Sequence, residues 1–117
     1  MTKYADNSKS LLGELIKITR YNLKAVGYEN LIVTSTAAKL ISIPENANYA
    51  LVTVESTLTT PAIRYLELGD KTLPTSTDGI ARSNADAFDV QGKENLINFR
   101  IIQIAAGTHS IKVQYYS

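Results

Sequence analysis

The sequence of 117 residues contains no cysteine. That excludes disulfides, thiolate nucleophiles and cysteine-based zinc or iron–sulfur sites, and leaves the redox compartment open. There is no tryptophan, and proline occurs three times. Without tryptophan platforms, a polymer-binding cleft flanked by aromatic rings is poorly supplied. Charge of one sign is also missing: 12 basic residues face 11 acidic ones, for a formal charge of +1. No run of Lys and Arg could neutralise a row of phosphates, so nucleic acid is not an expected partner. Long apolar runs are lacking too. The first apolar stretch is broken by Glu14, Lys17 and Arg20, which fits neither a signal-peptide core nor a membrane span.

What the sequence does contain reads as one ordinary globular domain. An apolar fraction of 44% and a charged fraction of 20% supply a core where a disordered chain would have none. From Leu31 onward, short β-branched and aromatic runs alternate with Gly, Pro, Asn and Asp. Seven strands are predicted, at Leu31–Thr36, Ala38–Ile43, Tyr49–Ser56, Ala62–Leu68, Ala85–Val90, Leu96–Ala105 and Ser110–Tyr116. Period-two sets place Ala50, Val52 and Val54 on one face, as they do Ile102 with Ile104 and Ile111 with Val113 and Tyr115. The expected fold is mostly β: a single antiparallel β-sandwich of about seven strands. Turns are expected at 44–48, 69–71, 78–79, 92–93 and 107–108.

Residues 1–28 are expected to form an N-terminal arm or short helix ahead of the β-sandwich domain at 29–117, with the seam near Gly27-Tyr28-Glu29. Leu11, Leu12, Leu15 and Ile16 sit at spacings that suit one helical face. The stretch Glu14–Leu23 also alternates and includes β-branched Ile16, Ile18 and Thr19, which suits an extended arm pairing with a sheet.

Little in the sequence announces chemistry. His109 is the only histidine and is expected as a surface turn residue. No Gly-x-Ser-x-Gly elbow accompanies it, so a Ser-His-Asp triad has no local signature. Asp70, Asp78, Asp86 and Asp89 lie near glycine-containing loops but miss the spacing of a calcium loop, and are expected in solvated turns. Neither a cofactor nor a metal is called for, and no enzymatic activity is expected. Arg64 beside Tyr65, and Arg100 beside Phe99, suggest stacking on a ring or pairing with Glu67 or Glu94.

Seven tyrosines stand against two phenylalanines. Tyrosine joins a large apolar body to a polar tip and is enriched where proteins meet proteins or sugars. Tyr65 and Tyr116 are therefore candidate contact residues, together with Leu11, Leu12, Leu15 and Ile16 of the arm. The opposing reading has Tyr49, Tyr65 and Tyr115 packing at the rim of the β domain. Asn46, Asn48 and Asn84 would assist if the ligand were a glycan.

A series of short motifs runs through the β region: Ile43-Pro44-x-Asn46-Ala47, Val52-x-Val54-Glu55, Ala62-Ile63-Arg64-Tyr65, Pro74-Thr75-x-x-x-Gly79, Asn95-Leu96-x-x-Phe99-Arg100 and Val113-x-Tyr115-Tyr116. In this order, over about two-thirds of the chain, it resembles small β-sandwich virion proteins of tailed bacteriophages. The resemblance implies an auxiliary or decoration protein that binds the major capsid protein or other virion subunits. It would be present as a homo-oligomer or in many copies on a lattice, located in the virion after assembly in the host cytoplasm. The loop at 68–73 is longer than in that pattern, and residues 1–28 are an addition to it. The alternative is a neck, tail or fibre component that binds a host surface or carbohydrate.

Overall fold

A computed structural model describes residues 23–117. Among these residues are seven strands and one short helix: β1 (Ala25–Val33), β2 (Tyr49–Ser56), β3 (Ile63–Leu66), β4 (Ile80–Arg82), β5 (Ala87–Gln91), α1 (Lys93–Asn98), β6 (Arg100–Gln103) and β7 (His109–Tyr116). The strands form two antiparallel sheets, four-stranded in the order β1-β7-β2-β5 and three-stranded in the order β4-β3-β6. The mostly β, antiparallel character and the strand number agree with the sequence reading.

Alternation fixes which face of the larger sheet is buried. Leu31 and Val33 of β1, Ala50, Val52 and Val54 of β2, Phe88 and Val90 of β5, and Ile111, Val113 and Tyr115 of β7 all point inward. A one-residue slip would turn every one of them to solvent, so the pattern itself sets the register. They share one core with Ala62, Ile63 and Tyr65 from the β3 region and with Leu96, Phe99 and Ile101 around α1 and β6. Three rings knit the two groups together. Tyr65 stacks on Phe88 at 4.3 Å between centroids and lies 5.5 Å from Phe99.

Several elements depart from expectation. The segment 38–43 is not a strand; only Ala38 forms a bridge, to Ile101. Glu29 draws this segment inward by binding the backbone N–H groups of Ile41 and Ser42, which takes them away from any ladder. The expected strand 96–105 splits into α1 and β6. Gly92, at φ +96°, opens the helix, Asn95 Nδ2 donates to the Gln91 carbonyl at 2.8 Å, and Glu94 lies in the first turn, where a carboxylate favours the helix dipole. Phe99 then leaves the helix in an extended conformation. As a result Phe99 and Ile101 face the core, while Ile102 and Ile104 are only partly covered. β4 was not anticipated because three residues, Ile-Ala-Arg, carry no period. The expected strand at 31–36 is displaced toward the N-terminus: it starts at Ala25 and ends at Val33, so the expected seam at 27–29 falls inside β1.

β1 crosses a tight spot near its start. A Cβ added to Gly27 would lie 2.6 Å from Pro44 Cγ, a rigid ring that cannot swing aside, and a bulge interrupts the β1–β7 register between Ala25 and Gly27. Gly27→Ala is therefore expected to destabilise the protein by about 1–3 kcal/mol, measured as a lower urea midpoint with an unchanged m-value.

Candidate functional site

The sequence-predicted contact residues do not come together as a group. Leu11, Leu12, Leu15 and Ile16 lie outside the described residues. Tyr65 is only 6% exposed, sandwiched among Phe88 and Phe99, and offers no ring to a partner; its place is in the core and not at a binding surface or rim. Tyr115 is likewise fully buried. Tyr116 points the opposite way, as successive strand residues must. It is half-buried and meets Tyr49 edge-on at 5.6 Å.

The outward face of the four-stranded sheet assembles a set of residues that only the register could reveal. One row runs Tyr28, Gln114, Leu51, Asp89; the next toward the chain termini pairs Tyr116 with Tyr49 and Gln91. Tyr49 OH donates to Asp89 Oδ2 at 3.2 Å, and Gln91 Nε2 donates to the same oxygen at 3.0 Å. On the other side, Asn30, Lys112 and Thr53 form a row, followed by Ile32, Ser110 and Glu55. Lys112 Nζ bonds Asn30 Oδ1 at 2.8 Å and lies 3.2 Å from Glu55. The face is thus a mix of rings, aliphatic groups and short polar contacts.

Two acidic residues of the loops, Asp70 and Asp86, are spent on local structure. Asp70 Oδ1 accepts from the backbone and hydroxyl of Thr72, which holds its carboxyl below the usual range. Asp86 Oδ2 accepts from Ser83 N–H at 2.7 Å. Glu67 is shifted the other way, upward, first by burial and then by the charge of Asp89. Asn84 accepts from Ser56 N–H and so serves a loop junction. Among the described residues no three His, Asp or Glu side chains are grouped as metal ligands.

Arg64 and Arg100 neither stack on rings nor pair with Glu67 or Glu94. Arg64 donates to the carbonyls of Ser76 and Gly79, at 3.2 and 2.8 Å, and Arg100 to those of Ile97 and Phe99. The guanidinium that does lie over a ring is that of Arg82, 5.3 Å from the Phe88 centroid. Arg64 thereby ties its own strand to the Pro74–Gly79 loop, two stretches that the sequence presents as separate motifs.

His109 is not a surface turn residue. It is 1% exposed at the head of β7, with Nε2 2.8 Å from the Ala105 carbonyl and Nδ1 2.8 Å from Ser56 Oγ. A carbonyl can only accept, so Nε2 carries a proton, and Nδ1 shares a hydrogen bond with the Ser56 hydroxyl. Ser56 Oγ in turn accepts from Leu58 N–H at 3.0 Å. His109 has both nitrogens engaged, and Gly107 packs on the ring, where an added Cβ would sit 3.0 Å from Cε1. The geometry fastens the 105–108 turn to the end of β2.

Compared with models of protein families, with curated proteins and with solved structures, the chain matches none.

Two measurements follow from this chemistry. His109→Ala strands the Ser56 hydroxyl and opens a cavity, with an expected loss of about 2–4 kcal/mol in chemical denaturation. The second concerns Tyr115, whose hydroxyl donates to the buried carboxylate of Glu29. Burial foremost, then the Glu29 hydrogen bond and charge, push this phenol far above its ordinary value of 10.0. The unfolded chain releases that proton near the ordinary value while the folded one retains it. Stability from this source is therefore intact below about pH 10 and falls above it, by up to about 1.4 kcal/mol per pH unit. Tyr115→Phe is expected to be less stable by about 1–3 kcal/mol at pH 7 and to show a flatter stability profile between pH 9 and about 11 in urea titrations.

Proposed function

We propose that this chain is a structural protein of a bacteriophage virion, an auxiliary or decoration protein held on the capsid by protein–protein contacts. In this reading the two sheets stack face to face as a sandwich, and residues upstream of β1 supply an anchoring segment. The observation that carries it is the outward face of the four-stranded sheet. Tyr28 and Ile32 are exposed there beside Tyr49, Leu51 and Tyr116, while the side chains of His109, Asp70 and Asp86 are engaged within the fold.

Two further features support it. Two of the motifs on which the resemblance to small phage β proteins rests meet in space, since Arg64 of the Arg-Tyr strand grips the Pro-Thr-x-x-x-Gly loop. Residue 23 enters the fold next to its C-terminal residues, with Lys24 and Ser117 exchanging both backbone hydrogen bonds at 2.9 Å. An upstream segment bearing Leu11, Leu12, Leu15 and Ile16 would thus leave from the same edge that carries Tyr28 and Ile32. Burial of those four side chains on the major capsid protein or another virion subunit would stabilise the shell by linkage. Many copies on a lattice would multiply modest contacts.

A second reading, a neck, tail or fibre module that binds a host surface or carbohydrate, draws on the Tyr49–Tyr116 pair with Gln91, Asp89 and Gln114 around it. Aromatic faces bordered by amide and carboxylate groups suit sugar rings. Co-sedimentation separates the two. With capsids that lack the protein, the wild type is expected to pellet, and Leu12→Lys combined with Leu15→Lys to lower the bound fraction at least tenfold. Binding to host cells but not to capsids, lost on Tyr116→Ala, would replace decoration by adhesion.

A further inference from the structure

The exposed edges of the two sheets are not alike. β5 is five residues long and turns Asp89 outward, and β4 has three residues. β6 is covered, because Ile101 exchanges both backbone hydrogen bonds with Ala38, and Gln103 N–H donates to the Thr34 carbonyl. Outward charge, shortness and cover are among the means by which natural sheets prevent edge-to-edge association, as are bulges and inward-pointing charges. Between its bulge at Ala25/Gly27 and its end at Val33, β1 has only the inward-pointing Glu29. It is nine residues long, its sole charged residue Glu29 faces inward and is buried, and β7 is its only strand partner among the described residues.

The side chains on this edge are self-complementary. Tyr28 and Ile32, 61% and 60% exposed, flank Asn30 on the outward face. We propose that β1 pairs antiparallel with β1 of a second copy, about a two-fold axis at Asn30. Each Tyr28 then lies opposite Ile32 of the other copy, an aromatic and β-branched pair made twice, of the kind that stabilises cross-strand contacts. The matched stretch runs from Gly27 to Val33. Gly27 closes the bulge and Val33 ends the strand, so the symmetric register spans the regular part of β1. Charge does not oppose the approach, since Lys112, next to Asn30, is already balanced by Glu55 at 3.2 Å. The two four-stranded sheets become one of eight strands through an isologous contact. This inference rests on the edge alone and stands whether or not the protein binds a capsid.

The absence of cysteine makes the register directly testable. Residues opposite each other in an antiparallel pair have Cα atoms about 4.5–5.5 Å apart, within the span of a disulfide. In the full-length protein, Asn30→Cys is expected to form a covalent dimer under mild oxidation well ahead of Gln91→Cys, placed on the opposite edge of the same sheet. The wild-type mass should rise with concentration from 12.8 kDa toward twice that value in sedimentation equilibrium. Ile32→Lys and Tyr28→Lys, both at exposed positions, should weaken the dimer at least tenfold while keeping the circular dichroism spectrum. A chain monomeric at every concentration, equal crosslinking of the two cysteine variants, or undiminished dimerisation of Ile32→Lys would each overturn the proposal.

Discussion

A carboxylate buried among strands must be satisfied or the fold does not hold, and Glu29 is where that requirement falls. It sits 7% exposed on the inward face of β1 and collects the Tyr115 hydroxyl and the backbone N–H groups of Ile41 and Ser42. Removing partners from such a group is costly because the charge would stay buried without compensation. Three parts of the chain are consequently committed to one another: the edge strand, the final strand and the crossing segment between β1 and β2. That segment must pass near Ile41 to reach Glu29. On its way it contacts β6 through Ala38 and closes against Gly27 through Pro44.

The second tie between the sheets is aromatic. Tyr65, Phe88 and Phe99 come from β3, β5 and the residue after α1, and their ring planes lie within 25° of one another. Offset stacks of this kind add to the burial of large apolar area. α1 makes the arrangement geometrically workable, since it carries the chain from the β5 edge of one sheet toward β6 of the other and delivers Phe99 pointing inward. His109 performs a comparable duty at the head of β7 through Ser56 and Ala105.

How much of this the sequence disclosed depends on how local the cause was. β2 was legible to the residue, because Tyr49–Ser56 alternates cleanly, and β7 nearly so. The turn at 44–48 was legible from Pro44, whose carbonyl accepts from Ala47 N–H. The helix at 93–98 was hidden because Leu96, Ile97, Phe99, Ile101 and Ile102 compose a largely apolar run, broken only by Asn98 and Arg100, that fits a strand equally well. For 38–43 the deciding partner, Glu29, is twelve residues away from Ile41 and belongs to a strand of its own. Tyr65 and His109 were misplaced for the same reason. Burial of a tyrosine or histidine depends on rings, hydroxyls and carbonyls brought up from elsewhere, and composition carries no trace of them. The outward face was partly legible at Tyr116, but Tyr28 and Leu51 join it only through strand pairing across the sheet.

The strand order β1-β7-β2-β5 also governs the timing of folding. β7 is the last of the seven strands to be made, yet it lies inside the sheet and hydrogen-bonds to both β1 and β2. Until it leaves the ribosome, β1 has no strand to pair with, and one side of β2 is bare. Pairings so distant in sequence close slowly, because the loop entropy is spent before any contact repays it. The nascent chain thus holds β1 unpaired and β2 open on one side, and insertion of a single central strand converts them into a finished sheet.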